Sequence, residues 1–349
     1  MNSGADQQVA ERGFCSDTVI QSDIAIVPFP ALGDITVYLR LAWIFCRAGA
    51  RVTFFSNALY PARAYFPWLQ IVPEDNDELA GLSARSDLVI ACFEKYYHKR
   101  EWVPSYAQLE NVAFVTAKKI SRDSGLDGRP VKSLGRTFTG ASRAFCLDSG
   151  SRKTMVDWVD SYAKEVFGLS AEPMPRPALP VMADSRLILI FPTTPQQKKN
   201  YWLSGFCWLA RRLKRNGWQV EFVCMPHEVA EIGAQAPGFR VRSFPDIRHL
   251  MEHVAQAHAV ISNDSGGGHL ASLMNLPTYT VTRRHAHFAW RPGFNEKNTV
   301  IYPWFRFKSL KGRYVWRPFV PIWRIIQGLG RAAQPAGLAI SGRTNTESR

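Results

Sequence analysis

Short unbroken apolar runs recur along this chain, each followed by a stretch in which apolar positions return at helical spacing. The first, Ile24–Val27, has the composition of a strand buried on both faces of a parallel sheet. A turn at Pro28–Gly33 leads into residues 35–48, where Ile35, Leu39 and Trp43 mark one face of a helix and Gly49 stops it. Arg51–Phe55 is the next strand and closes one β-α-β unit, and further strands are expected at Leu88–Ala91 and Val112–Val115. Four prolines between Glu172 and Pro180 (Pro173, Pro175, Pro177 and Pro180) exclude a helix or central strand. Beyond them the pattern restarts. Strands are expected at Leu187–Phe191, Val220–Cys224, Val241–Phe244, Ala259–Ser262 and Thr278–Val281. Helices are expected at 202–215, 247–257 and 269–274, with a last one around 322–329.

Such alternation on both sides of a Pro-rich joint predicts an α/β protein of two doubly wound domains facing each other. The expected divisions are an unstructured leader at 1–22, a first domain at 23–172, a linker at 173–184, a second domain at 185–330 and a flexible tail at 331–349.

Composition narrows the class. With 349 residues, 46% apolar and 21% charged, the chain is an ordinary globular one of two-domain size, not a disordered, collagenous or coiled-coil protein. No apolar run approaches the roughly 20 residues that span a bilayer. Asp6, Glu11 and Asp17 are unlike a signal peptide. Six cysteines without a C-x-x-C pair indicate neither a zinc knuckle nor a disulfide framework, so a reducing cytoplasm is expected.

The net charge of +14 is uneven: residues 282–349 hold 13 Lys and Arg against two acids, while the rest of the chain is nearly balanced. Within 283–324, rings such as Trp304, Phe305, Phe307 and Tyr314 alternate with Arg306, Lys308, Lys311 and Arg313. That mixture suits an anionic membrane surface, and the competing expectation is that many of the rings pack as core. No nucleic-acid-binding motif accompanies the charge, so no nucleic-acid partner is expected.

Four segments carry candidate chemistry, each after a strand, where ligands of doubly wound sheets bind. Asn263-Asp264-Ser265-Gly266-Gly267-Gly268-His269 offers close backbone approach, free N–H groups, a hydroxyl and an imidazole to a phosphate; its plainer reading is a tight turn capped by Asp264. Asp34 stands where a general base would meet an acceptor hydroxyl, and a helix N-cap is the alternative. Thr193, Thr194, Lys198 and Lys199 suit a pyrophosphate or form a solvated loop. Glu228, after His227, is placed to accept from a ribose.

The order G-D, T-T-x-x-x-K, H-E, N-D-S-G-x-x-H resembles the ADP-heptose:lipopolysaccharide heptosyltransferases, glycosyltransferase family 9, over about residues 24–282. The resemblance implies a GT-B fold and an inverting, metal-independent transfer from a nucleotide-diphosphate sugar to a lipid-linked glycan, with no cofactor. It also implies roles. Asp34 matches the catalytic base; Thr193, Thr194 and Lys198 match the donor-phosphate loop; Glu228 matches the ribose carboxylate. Asp264, Ser265, Gly266, Gly267 and His269 match the donor sugar and phosphate motif. The chain departs from the family pattern at Pro28-Phe29-Pro30, where an Arg is usual. It departs again at Lys199-Asn200-Tyr201, which separate Lys198 from Trp202, and at Gly268, where Ala or Ser is usual. A cytoplasmic protein, peripheral on the inner face of the membrane, is expected. The alternatives are another GT-B-like nucleotide-sugar enzyme and a catalytically silent binding protein of the same fold.

Overall fold

The computed structural model describes residues 22–74, 79–97, 104–117, 119–180, 182, 185–309 and 314–332. The expected leader at 1–22 (bar Ser22), the tail from 333 onward and the basic residues Lys311 and Arg313 lie outside them.

In chain order the first half contains β1 (Asp23–Val27), α1 (Leu32–Arg47), β2 (Arg51–Phe55), β3 (Gln70–Val72) and α2 (Leu79–Arg85). It continues with β4 (Leu88–Cys92), α3 (Phe93–Tyr96), β5 (Val112–Thr116), the strands β6 (Val131–Ser133), β7 (Arg136–Phe138) and β8 (Arg143–Ala144), and α4 (Met155–Phe167). The second half contains β9 (Leu187–Phe191), α5 (Leu203–Arg215), β10 (Gln219–Val223), α6 (Val229–Gln235), β11 (Arg240–Arg242) and α7 (Ile247–Val254). Then come β12 (Ala259–Asn263), α8 (Gly266–Leu273), β13 (Thr278–Val281), β14 (Asn298–Ile301), β15 (Phe307–Lys308), β16 (Tyr314–Val315) and α9 (Trp323–Ala332).

Two six-stranded sheets result, ordered β3-β2-β1-β4-β5-β8 and β11-β10-β9-β12-β13-β14. Every pairing in both is parallel, with Ile24 against Val52 and Leu88 in one and Ile190 against Phe222 and Ile261 in the other. The order reverses between β1 and β4 and again between β9 and β12. At such points the loops leaving adjacent strands diverge and open a crevice. The first crevice is bordered by the turn after β1 and by the start of α1, which carries Asp34, and the second by the turn after β12, which carries Asp264 and Ser265.

Why α1 forms is plain from its inward face. Ile35, Val37, Tyr38, Leu39, Leu41, Ile44 and Phe45 are all buried, because the sheet covers one side and α4 and α8 cover others. One apolar cluster therefore runs from the first sheet through α1 and α4 into Leu270, Ala271 and Leu273 of α8, joining the two halves. The outer face of the second sheet has its own cluster, closed by Trp316, Ile322, Ile325 and Leu329.

α4, absent from the expected elements, is held by a capping box in which Thr154 and Asp157 bond reciprocally, and by Gly168 at φ 70° after its last turn. Such caps contribute about 1 kcal/mol. Its start meets the second half: the Met155 N–H donates to the Ala289 carbonyl (2.8 Å), and a Cβ on Gly293 would lie 2.6 Å from Thr154. Among the described residues between α4 and β9 there is no helix or strand, as the prolines require. This stretch is tied down by Arg40, which grips Asp160 with two nitrogens (2.7 and 3.0 Å) and donates to the Glu172 carbonyl (2.5 Å). No helix of the described residues is long and apolar enough to cross a membrane.

Candidate active site

The starts of α1 and α8 abut. A Cβ on Gly266 would meet Leu32 at 2.8 Å, and one on Gly33 would meet the His269 ring at 3.4 Å. This brings the first turn of α1, which carries half-buried Asp34, against the first turn of α8.

The three glycines are not a turn before the helix, as the sequence pattern suggested; they are its first residues, with Ser265 at the N-cap. The reason is crowding. Side chains on Gly267 and Gly268 would lie 2.6 Å from Phe191 and from the Ser262 hydroxyl respectively, so α8 sits on β9 and β12 only because those positions are bare. Ser262 thus explains why glycine, not Ala or Ser, precedes His269. Ser265 makes no side-chain cap bond, and its buried Oγ has no hydrogen-bond partner. A buried hydroxyl left unmet at a helix N-terminus, beside free backbone N–H groups, is suited to an anionic oxygen.

Asp264 is nearly enclosed, its side chain 8% exposed, and is flanked by two cations: Lys199 Nζ at 3.4 Å and Arg284 Nε at 4.0 Å. Lys198 is exposed, whereas Lys199 is half-buried and turned toward Asp264. The loop carrying both lysines is braced from three sides. Asn263, fully buried, accepts from the Tyr201 N–H (2.9 Å) and donates to the Pro192 carbonyl (2.5 Å). The Thr194 hydroxyl lies within hydrogen-bond distance of the Gln196 carbonyl (3.0 Å) and the Asn200 side-chain oxygen (2.8 Å), so it shapes the loop. Arg317 donates to the carbonyls of Asn200 (2.6 Å) and Gln197 (3.2 Å). Tyr201, two residues after Lys199, buries its ring between Phe206 and Trp316 and so anchors the loop's end.

Thr193 and Glu228 are brought together, the Thr193 hydroxyl donating to Glu228 Oε2 (2.9 Å), which also accepts from the Met225 N–H (2.9 Å). On the Asp34 side, Tyr38 lies one helical turn on and donates to the Val115 carbonyl (3.3 Å). Burial holds the Tyr38 hydroxyl well above its ordinary range and pushes the neighbouring Cys92 thiol up to about 12, so both stay protonated. Glu94, at the carboxyl end of β4, accepts from Cys92 (3.3 Å) and from the Thr116 hydroxyl.

His269 is buried, hydrogen-bonded to the Trp290 backbone, with its ring edge-on to Trp290 at 6.0 Å. Burial lowers its pKa; the Asp264 carboxylate pulls the other way but does not prevail. The unfolded chain takes up a proton on this residue below about pH 6.5, and the folded chain resists it, so stability falls with acidification. His269→Gln removes that component: between pH 7.5 and 5.5 the wild-type melting midpoint falls further than the variant's. Equal falls would show that His269 does not titrate against folding.

Sequence reasoning missed Arg284, Asn263's bracing bonds, Arg317 and Glu94. Arg284 and Glu94 lie shortly after the ends of β13 and β4, so their positions after strands were readable signals; Asn263's bonds and Arg317 act through contacts remote in sequence.

The family model for glycosyltransferase family 9 (heptosyltransferase) matches residues 151–306. The fold is similar to that of E. coli heptosyltransferase WaaC with ADP (16% identity, 89% of this chain and 100% of that one, TM-score 0.59). It is similar also to E. coli ADP-heptose lps heptosyltransferase II (17%, 89% and 98%, TM-score 0.60). A third likeness is to the glycosyl transferase family 9 structure from Veillonella parvula DSM 2008 (13%, 82% and 87%, TM-score 0.61). No curated protein matches the chain. The architecture is that of the GT-B heptosyltransferases, and the family resembled by the sequence motifs is the one whose model matches the second half.

Proposed function

We propose that this chain, a GT-B protein resembling family 9, is an inverting glycosyltransferase that moves a sugar from a nucleotide-diphosphate donor to a hydroxyl of a lipid-linked glycan. The ligands of similar heptosyltransferase structures, ADP and an ADP-heptose analogue, point to ADP-heptose as the donor, and a lipopolysaccharide core is the corresponding acceptor. The observation that carries the reading is the abutment of Leu32 and Gly33 on Gly266 and His269; on this reading Asp34, in the same turn of α1, faces the phosphate-suited start of α8 across a shared crevice.

The proposed chemistry is a single displacement. The acceptor oxygen attacks the anomeric carbon, Asp34 takes the acceptor's proton, and the bond to the diphosphate breaks. Charge building on that leaving group is met by Lys199, Arg284, the Ser265 hydroxyl and the N–H groups at the start of α8, without a metal. Asp264 holds the two cations and faces the donor sugar. Glu228 and Thr193 receive the ribose, Lys198 meets the donor at the exposed rim, and Thr194 keeps the loop in shape. His269, neutral, fixes the meeting of α1 and α8. Closure of the two lobes (proposed as 23–172 and 185–330, joined by 173–184) excludes the water that would hydrolyse the donor. The basic aromatic segment 283–324 supports an acceptor held at the inner face of the cytoplasmic membrane.

Nucleotide release from ADP-heptose, measured with and without extracted lipopolysaccharide core, tests this. Release that depends on the acceptor and yields an extended glycan is the expected result. Binding without turnover would identify a silent member of the fold, and turnover without extension would identify another nucleotide-sugar enzyme.

A further inference from the structure

We infer that the outward face formed by Trp304, Phe305, Arg306, Phe307, Lys308 and Tyr314 docks on an anionic lipid bilayer and sets the donor loops beside it. The inference rests on the reading of a lipid-linked acceptor, but its test is independent of catalysis.

The structure separates rings of the basic aromatic segment 283–324. Phe288 and Trp316 are 2% and 1% exposed and pack as core, while Trp304, Phe305, Phe307 and Tyr314 are 59%, 68%, 52% and 45% exposed. Isolated exposed rings are ordinary, but four within so short a stretch mark a contact surface. They are also held in place. β15 and β16 pair antiparallel, Phe307 against Val315 and Lys308 against Tyr314. Phe319 props Phe305 and Phe307 from behind, each at 6.2 Å, and its carbonyl accepts from the Trp304 N–H (3.1 Å). Rings already ordered lose little freedom on entering an interface.

Charge selects the partner. Residues 283–324 contain ten Lys and Arg and one acid, Glu296. Arg306 and Lys308 are exposed beside the rings. Rings settle at headgroup depth while cations meet lipid phosphates. A second copy of this chain would bring its own cations against these, which disfavours self-pairing.

The same surface is tied to the donor site at both ends. Arg306 donates to the Arg283 carbonyl (3.1 Å), and the Arg283 guanidinium lies 5.5 Å over Tyr314; the next residue, Arg284, is the one that reaches Asp264. Arg317, just beyond β16, holds the carbonyls of the lysine loop. A bilayer meeting this face therefore lies next to the two loops that flank Asp264.

Flotation of the full chain with phosphatidylethanolamine–phosphatidylglycerol vesicles, against neutral phosphatidylcholine vesicles, tests this. The wild-type chain is expected to float at least about tenfold more with the anionic vesicles, less so at high salt. Phe305→Ser with Phe307→Ser should lower that partition about tenfold with ADP binding intact, which reports that the fold survives. Lys308→Glu should weaken it and blunt its salt dependence. Equal weak flotation with both vesicle types, or a double variant that floats like wild type, would overturn the inference. So would a dimer in sedimentation velocity abolished by the same substitutions, or retention on single-stranded nucleic acid, if either occurs without flotation. Vesicle docking without transfer to a lipid-linked glycan would leave the docking surface standing and remove the proposed acceptor.

Discussion

Asp34→Asn lowers turnover by about 10²–10⁴-fold while leaving donor affinity close to that of the wild-type chain. The substitution keeps the size and shape of the side chain in the first turn of α1 and removes its charge and its ability to accept a proton. In the proposed site the donor is held by residues after β9, β10, β12 and β13, not by α1, so its binding is expected to be insulated from the change. The neighbouring acids cannot take over. Tyr38 and Cys92 are held protonated by burial, and Glu94 is engaged by Cys92 and Thr116 behind the crevice. Single-turnover measurement with saturating donor separates the chemical step from binding. Turnover within a few-fold of wild type would discard Asp34 as the base.

The second large effect distinguishes two adjacent lysines. Lys199→Met is expected to cost about 10²–10³-fold in turnover, the scale of removing one charged donor from a developing anion. Lys198→Met is expected to change turnover less than about threefold, because its ammonium is exposed and solvent replaces it at little cost. The motif spacing favours Lys198, but Lys199 is the lysine beside Asp264. Removing Lys199 also leaves Asp264, nearly enclosed, with only the more distant Arg284 as an ion-pair partner among the described residues, so some of the loss is expected to be repulsion of the donor phosphates. The double variant Lys199→Met, Asp264→Asn separates these parts. Recovery relative to the product of the single losses measures the coupling. A larger loss from Lys198→Met than from Lys199→Met would reverse the assignment.

Much of the fold was legible because its determinants are local. An apolar run such as Leu88–Cys92 needs no distant partner to be recognised as a strand buried on both faces, and Gly49 and Gly217 stop their helices through backbone freedom at φ 95° and 82°. The capping box at Thr154 and Asp157 is equally local and readable, although α4 is absent from the elements expected from the sequence. The start of α8 was misplaced for a different reason. Three glycines in a row read as a turn, and only the closeness of Phe191 and Ser262 makes them a helix.

The sequence by itself determined two parallel sheets, the positions of their turns and the family pattern that those turns carry. These follow from spacing and side-chain chemistry within a few residues. What only the tertiary structure decided is which groups meet: Lys199 and Arg284 on Asp264, Asn263 and Arg317 on the lysine loop, Gly33 against His269, and which rings of the basic segment are core. Those pairings join residues tens to hundreds of positions apart. Their energies depend on distance and burial, which no local pattern encodes.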